Sequence, residues 1–192
     1  MIGSYAYRTN TDAIWNGQAP KKYTRLLPYI AGDSIVEIGA AEGVLSLLLS
    51  ERGVPVTALE LRQERSHAAL ELQARWLSLG RKVETFRAVC GDIRHHLEVL
   101  DDAQTFVAIR TIYHLREDVD DVMAEVAKRV PFVVLSGNPN RAKRYAAGDV
   151  SDELGRFNFY AGIDGMRQAL ERAGYTVGTV VAEGDPIVTG YR

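Results

Sequence analysis

The sequence predicts a single α/β domain built on a mostly parallel sheet, because short apolar runs alternate with segments of helical periodicity along its 192 residues. The clearest transition lies between Ser34 and Leu45, where an apolar strand, a tight turn and a helix start follow one another directly. Small residues occupy the turn, namely Gly39, Ala40, Ala41 and Gly43. Such a turn lets the backbone approach a ligand while the next helix presents free N–H groups. It predicts a nucleotide-binding edge, although short Gly and Ala turns are also plain connections in α/β proteins.

Acidic residues stand at the ends of the first three predicted strands. Glu37 closes the first apolar run, and Glu60 ends the second strand, 21 positions after Gly39. A carboxylate at that point can accept hydrogen bonds from both hydroxyls of a ribose. The third strand, over 83–89, leads to Asp92, which suits either a ligand contact or an N-cap of a helix over 94–100. Together the three acids strengthen the prediction of a nucleoside site.

The remaining elements complete the same alternation. Helical periodicity predicts long helices over 61–79, 119–130 and 164–173, and in the first of them Leu70, Ala74 and Leu77 align on one face. Apolar runs predict further strands over 104–109, 131–135, 175–182 and 187–191. A short turn at 183–186 joins the last two strands, so they must be antiparallel.

The spacing of Glu37, Gly39, Ala41 and Gly43 resembles the first motif of the class I S-adenosylmethionine-dependent methyltransferases, an acid followed by Gly-x-Gly-x-Gly. Ala41 replaces the middle glycine, so we expect no positive φ there. The dinucleotide fingerprint would need a third small residue where this chain has Val44. The resemblance covers about residues 23–192 and implies a Rossmann-like, doubly wound sheet of seven strands in the order 3-2-1-4-5-7-6, with the last strand antiparallel.

The resemblance also implies S-adenosylmethionine as the cofactor and S-adenosylhomocysteine as its product. In that family an Asp in a Gly-Asp-Ile turn receives the adenine amino group, and Asp92 matches it. The residues that we expect to bind the cofactor are Glu37, Gly39, Ala40, Ala41, Gly43, Glu60, Leu61, Asp92, Ile93 and Arg110.

The candidate catalytic residue is His114, which follows the fourth strand. Methyl transfer is an in-line displacement in which alignment supplies most of the catalysis, but an oxygen acceptor must also lose its proton. A histidine with a pKa near neutrality is a suitable base. The residue resembles a histidine of many small-molecule methyltransferases, which in other relatives only braces the fold.

Two segments outside the common core are expected to select the substrate. Residues 1–22, the N-terminal arm, form either a lid over the cofactor or a loosely attached terminus. Residues 136–162 form a substrate-side insertion, whose basic run at 141–144 suits an acceptor's carboxylate or phosphate, or else a solvated face. Tyr113 suits adenine stacking, the acceptor pocket or the core. The candidates for the substrate pocket are Tyr7, Trp15, Tyr113, Asn138, Arg141 and Tyr160.

Several reactions are disfavoured by what the sequence lacks. Adenine amino methyltransferases of this class carry Asn or Asp followed by Pro-Pro and an aromatic residue where this chain has Arg110-Thr111-Ile112-Tyr113. Magnesium-dependent relatives need an Asp near Arg110, so we predict no metal. Cytosine C5 methylation needs a thiolate near the substrate, whereas the single cysteine, Cys90, is expected to pack at a strand end.

We therefore expect a methyltransferase of a small molecule, acting at oxygen or else at nitrogen. The alternatives are an RNA or protein methyltransferase, with Lys21, Lys22 and the run at 141–144 as a docking surface, and a noncatalytic cofactor-binding subunit. A net charge of −2 supplies no cationic field for nucleic acid. The chain has no apolar run of about 20 residues and no signal peptide, which predicts a cytoplasmic protein without a membrane partner. The oligomeric state is not predicted, and a homodimer stays open.

Overall fold

Seven strands form one sheet in the order β3-β2-β1-β4-β5-β7-β6. The structure is a computed structural model and describes residues 11–149 and 151–192. The strands are β1 Ile35–Ile38, β2 Val56–Glu60, β3 Phe86–Cys90, β4 Thr105–Ile109, β5 Phe132–Ser136, β6 Thr176–Val181 and β7 Ile187–Tyr191. Strands β1 to β5 pair in parallel, whereas β7 is antiparallel to both of its neighbours, β5 and β6. The predicted strand order and the reversed last strand are confirmed.

Helices cover both faces of the sheet. They are α1 Thr11–Trp15, α2 Lys21–Thr24, α3 Val44–Ser50, α4 Gln63–Ser78, α5 Val119–Arg129, α6 Pro139–Ala146 and α7 Ile163–Arg172. The helix expected after Asp92 is replaced by two short 3₁₀ segments, Ile93–His95 and Leu97–Leu100. None of the described helices is long and apolar enough to cross a membrane.

The core consists of two apolar clusters, one on each face of the sheet. Neighbouring residues of a strand alternate between them, as Ile35 and Val36 do in β1 and Phe106 and Val107 in β4. One cluster includes Met123 of α5 and α7 residues, and the other includes residues of α3 and α4. Because both faces are covered, every residue of β1 is buried.

Helix α4 uses a different face from the one predicted. Leu70 and Leu77 are 45% and 39% exposed, and Ala74 is also exposed. The buried residues of the helix are Ser66, Ala69, Leu72 and Trp76. Trp76 fixes this orientation, because its side chain is fully buried and its indole N–H donates to the Ile14 carbonyl over 2.8 Å. Burial of one large aromatic ring therefore outweighs the three aligned apolar residues.

The Ser136-to-Gly162 insertion folds against the carboxyl end of the sheet. It contains α6 and a 3₁₀ segment, Gly155–Ala161, which contacts the 3₁₀ turn Ile112–His114 after β4. Asn138 begins α6 by accepting hydrogen bonds from the N–H groups of Asn140 and Arg141 over 3.1 and 3.4 Å. The insertion is thereby held beside the residues that follow β4.

Cys90, in contrast, is exposed, so the expectation that it packs at a strand end is wrong.

Candidate cofactor and active site

A cavity of about 740 Å³ opens at the carboxyl ends of β1 to β4. Its volume is typical of small-molecule sites, and its position beside the β1–β4 switch point is where open α/β sheets bind ligands. Eight residues predicted from the sequence line it: Gly39, Ala41, Glu60, Leu61, Asp92, Ile93, Arg110 and His114. Seven of the ten cofactor candidates thus share one cavity with the catalytic candidate.

The turn after β1 has a left-handed backbone at three alternate residues. The φ angles of Gly39, Ala41 and Gly43 are 62°, 52° and 69°. The expectation that Ala41 avoids positive φ is therefore wrong. Glu60 explains how Ala41 is held there, because its Oε2 accepts a hydrogen bond from the Ala41 N–H over 2.8 Å. Its Oε1 accepts one from the N–H of Arg62 over 3.0 Å, so the carboxylate links two loops of the cavity wall.

Close packing explains the two glycines of the turn. A β-carbon at Gly39 would lie 2.4 Å from Oγ1 of Thr111. One at Gly43 would lie 3.0 Å from the Phe86 ring and 3.2 Å from the Ala69 β-carbon. The first contact is impossible without movement, so the turn can approach the loop after β4 only with glycine at position 39.

Glu37, Ala40 and Gly43 are buried behind the cavity and are not among the residues that line it. The Glu37 carboxylate accepts a hydrogen bond from Ser46 Oγ of α3 over 2.6 Å. Burial raises the pKa of Glu37 to about 7, although the bond from Ser46 opposes this shift. Glu37 thus ties the end of β1 to α3, and its contact with the cofactor stays a prediction.

Asp92 lies in the cavity wall and also caps the 3₁₀ segment that follows it. It accepts hydrogen bonds from the backbone N–H and the Nε of Arg94 over 3.0 and 2.9 Å. These bonds lower the pKa of the Asp92 carboxyl. Arg94 in turn donates to Asp118 over 2.7 Å. The capping interpretation of Asp92 is confirmed, and Arg94 donates to both oxygens of the ionised carboxylate.

His114 lies in the cavity wall with its imidazole against the Tyr113 ring, the two centroids 4.6 Å apart. The imidazole has no hydrogen-bond partner among the described residues. Partial desolvation lowers the pKa of His114, and the positive charges of Arg141, Arg116 and Arg62 lower it further. The negative charge of Glu153 raises the pKa of His114, but only weakly. The neutral ring, which can accept a proton, is therefore favoured at neutral pH.

Arg110 is held in place by an acid that is distant in the sequence. Its Nη2 and Nε donate to the two carboxylate oxygens of Asp185 over 2.6 and 2.9 Å. Asp185 lies in the turn between β6 and β7, and its carbonyl accepts a hydrogen bond from Arg25 over 3.1 Å. Neither Asp185 nor Arg25 was identified from the sequence, because no local pattern relates residues 75 positions apart.

Three of the substrate-pocket candidates form a group behind His114. Tyr113 is only 3% exposed and packs in the core, and its hydroxyl lies 3.5 Å from the Asn138 amide nitrogen. The Arg141 guanidinium lies 5.3 Å from the centre of the Tyr113 ring. Tyr160 lies elsewhere, beside Arg172 of α7. None of these four residues lines the cavity.

The described part of the N-terminal arm lies away from the cavity. The Trp15 carbonyl accepts a hydrogen bond from Arg75 in the last turn of α4 over 3.3 Å. Arg65, in the first turn, lines the cavity. Ten helical residues separate these two arginines by about 15 Å. Trp15 is therefore not at the site, and Tyr7 lies outside the described residues.

Arginine is abundant in the cavity wall, which the sequence analysis missed apart from Arg110. The five arginines that line it are Arg62, Arg65, Arg94, Arg110 and Arg116. Only Arg62 and Arg110 carry a signal in the sequence, because they come just after predicted strands. Among residues 11–149 and 151–192, the non-glycine residues with positive φ are Ala41, Arg110 and Arg116, and all three line this cavity. Backbone strain of this kind concentrates at functional sites.

The basic run at 141–144 is largely neutralised by acids of its own segment. Arg144 donates to Asp149 over 2.7 Å and to Asp152 over 2.8 Å, and Arg141 lies 3.4 Å from Asp152. Within the part of the chain that the structure describes, no group of His, Cys, Asp and Glu could hold a metal ion.

No family model matches this sequence, and no curated protein is similar enough to match. Solved structures share its fold. The magnesium protoporphyrin IX methyltransferase of Synechocystis PCC 6803 with bound SAM is 13% identical at a TM-score of 0.67, covering 99% of this chain and 86% of that one. A TehB-like SAM-dependent methyltransferase of Corynebacterium glutamicum is 16% identical at a TM-score of 0.64, covering 96% of this chain and 91% of that one. The N-terminal domain of EvdMO1 with bound SAH is 17% identical at a TM-score of 0.62, covering 90% of this chain and 82% of that one.

Identities this low establish the fold and leave the acceptor to be inferred from the site. The shared sheet order, with its reversed last strand, runs through almost the whole chain. The chain has the fold of the class I S-adenosylmethionine-dependent methyltransferases.

Proposed function

We propose that the protein transfers a methyl group from S-adenosylmethionine to an oxygen atom of a small-molecule acceptor. One observation carries this proposal: a single cavity joins the turn after β1 and the acids Glu60 and Asp92 to the imidazole of His114, which accepts no hydrogen bond from the described residues. The fold of the structural relatives, two of which contain SAM or SAH, supports the choice of cofactor.

The residues of the cavity fit an adenosyl group. Glu60 uses one lone pair on each carboxylate oxygen for backbone N–H groups, so each oxygen keeps another for a ribose hydroxyl. Asp92 is ionised and lies in the same wall, and the adenine amino group would displace one of the hydrogen bonds that Arg94 donates to its two oxygens. Leu61 and Ile93 supply apolar surface in the same wall. These residues would hold the nucleoside along the β1–β3 half of the cavity.

Bound S-adenosylmethionine supplies an activated methyl group, and the protein has to orient the acceptor and accept a proton. His114 lies after β4, across the switch point from the nucleoside half. As the oxygen–carbon bond forms and the carbon–sulfur bond breaks, the acceptor's hydroxyl proton passes to the neutral imidazole. A neutral amine acceptor would not need this base during transfer, so His114 favours oxygen over nitrogen.

Cofactor identity is tested by calorimetric titration with S-adenosylhomocysteine and, in parallel, with NADH. We expect saturable binding of the former alone. Glu60→Ala should weaken that binding by about 1–3 kcal/mol, because charged hydrogen bonds to the ribose are lost. Glu64→Ala, an exposed residue in the first turn of α4, is the matched control and should bind normally. Binding of NADH, or of neither compound, would overturn the proposal.

A further inference from the structure

Two arginines from different segments place positive charge near His114. Arg116 follows the turn after β4 and lines the cavity, and Arg141 lies on α6 beside Tyr113. Arg116 has a φ of 58°, a conformation that is unfavourable for a residue with a β-carbon. Such strain persists only where the surrounding structure imposes it, which is typical of ligand sites.

Arg116 already holds a carboxylate. Its Nη2 lies 2.9 Å from Oε2 of Glu153, whose side chain is 75% exposed. Arg141 lies outside the cavity wall and is more firmly fixed, because its Nη1 donates to the buried Asn158 over 3.1 Å and lies 3.4 Å from Asp152. An exposed ion pair contributes little stability, so another anion can displace Glu153 from Arg116 at small cost.

We propose that Arg116 forms an oxyanion subsite beside His114, which binds a carboxylate or phosphate group of the acceptor after displacing Glu153, while Arg141 adds positive charge from behind the cavity wall. Planar guanidinium groups bind such oxyanions through paired N–H donors. The inference rests on the proposed function in taking the bound molecule to be the acceptor. It narrows the acceptor to a small molecule that carries an anionic group near its nucleophilic oxygen.

The nucleoside candidates do not account for these arginines. Glu60 and Asp92 lie at the ends of β2 and β3, whereas Arg116 and Arg141 follow β4 and β5. The cofactor carries a carboxylate of its own, however, and it could also reach a cationic subsite. Saturation with S-adenosylhomocysteine separates the two cases, because a subsite filled by the cofactor cannot bind a second anion.

The experiment follows the imidazole resonances of His114 by NMR, assigned with His114→Gln. The full chain, with and without saturating S-adenosylhomocysteine, is titrated with benzoate, phenyl phosphate and neutral benzyl alcohol at constant ionic strength. The first two probes distinguish carboxylate from phosphate recognition. We expect at least one of them to shift His114 saturably in the presence of S-adenosylhomocysteine, and benzyl alcohol to bind more weakly.

Two variants give opposite expectations. Arg116→Gln should weaken binding of the anion about tenfold, because charged hydrogen bonds are lost. Glu153→Gln should strengthen it about two- to fivefold, because the competing carboxylate is removed. The matched controls are Arg167→Gln and Glu171→Gln, which break a similar exposed pair on α7 that does not line the cavity and should change nothing.

The inference is overturned if neither anion shifts His114, if saturating S-adenosylhomocysteine abolishes the shift, or if Arg116→Gln binds like the parent protein. If Arg167→Gln weakened anion binding as much as Arg116→Gln does, the binding would be nonspecific charge attraction, which would also contradict the inference. The proposed function fails separately, through absence of S-adenosylhomocysteine binding in the calorimetric titration.

Discussion

The backbone N–H of Ala41 donates to Oε2 of Glu60 over 2.8 Å, which ties the strained residue of the turn to the end of the neighbouring strand. Ala41 has a φ of 52°, where a β-carbon costs about 1–2 kcal/mol. The bond from Glu60 thus helps to hold a backbone conformation that alanine alone would avoid. The acid expected to bind a ribose also shapes the turn beside it.

Replacement of Ala41 by glycine should stabilise the protein. Glycine removes the strain at positive φ, and the greater freedom of the unfolded chain offsets part of the gain. We expect the free energy of unfolding to rise by about 0.5–1 kcal/mol. Urea denaturation measures the change. Ala40→Gly is the control, since Ala40 has no positive φ and should lose stability; a less stable Ala41→Gly protein would contradict the role of strain.

Gly39→Ala should destabilise the protein through contact with Thr111. The new β-carbon would lie 2.4 Å from Oγ1 and 2.6 Å from Cγ2 of Thr111, in addition to the cost of a φ of 62°. We expect a loss of about 2 kcal/mol or more. Thr111→Ala removes both atoms and should recover part of this loss in the double variant. A double-mutant cycle by urea denaturation tests the contact, and strictly additive effects would exclude it.

Glu37 should make stability depend on pH near neutrality. Burial raises its pKa in the folded protein from 4.5 to about 7, so its carboxyl stays protonated over a range in which the unfolded chain is ionised. The stability associated with this group is complete below pH 4.5 and is lost as the pH rises through about 7. The loss amounts to roughly 3 kcal/mol.

The test compares Glu37→Gln with the parent protein by urea denaturation between pH 4.5 and pH 8. Glutamine keeps an acceptor for the Ser46 hydroxyl and cannot ionise. The difference in unfolding free energy should therefore move in favour of the variant as the pH rises. Glu64→Gln, which alters an exposed carboxyl, should show no such trend. If the difference in unfolding free energy between Glu37→Gln and the parent protein stayed constant with pH, the pKa of the Glu37 carboxyl would not be raised.

The sequence predicts best those features of the site that depend on residues close together along the chain. The position of Gly39, Glu60 and Asp92 at one cavity could be predicted because each lies at or just after the end of an apolar strand, and parallel strands bring those ends to one edge. The Arg110–Asp185 pair could not, because its members meet only when β7 inserts between β5 and β6. The positive φ of Ala41 likewise depends on a tertiary hydrogen bond.

The catalytic candidate is tested through the pH dependence of the rate, once an acceptor is known. Desolvation and nearby guanidinium groups lower the pKa of His114 below its ordinary 6.5, so the neutral base predominates at pH 7. The maximal rate should fall as the pH drops through this lowered pKa, because protonation removes the acceptor for the substrate's proton.

His114→Gln should lower kcat about 100-fold or more and abolish the fall in rate at acidic pH, while leaving S-adenosylhomocysteine affinity unchanged. His67→Gln, an exposed histidine of α4, is the control and should retain the parent profile. A slow His114→Gln enzyme with an unchanged fall in rate at acidic pH would instead assign His114 a positioning role, since a group that does not titrate in catalysis cannot shape the profile.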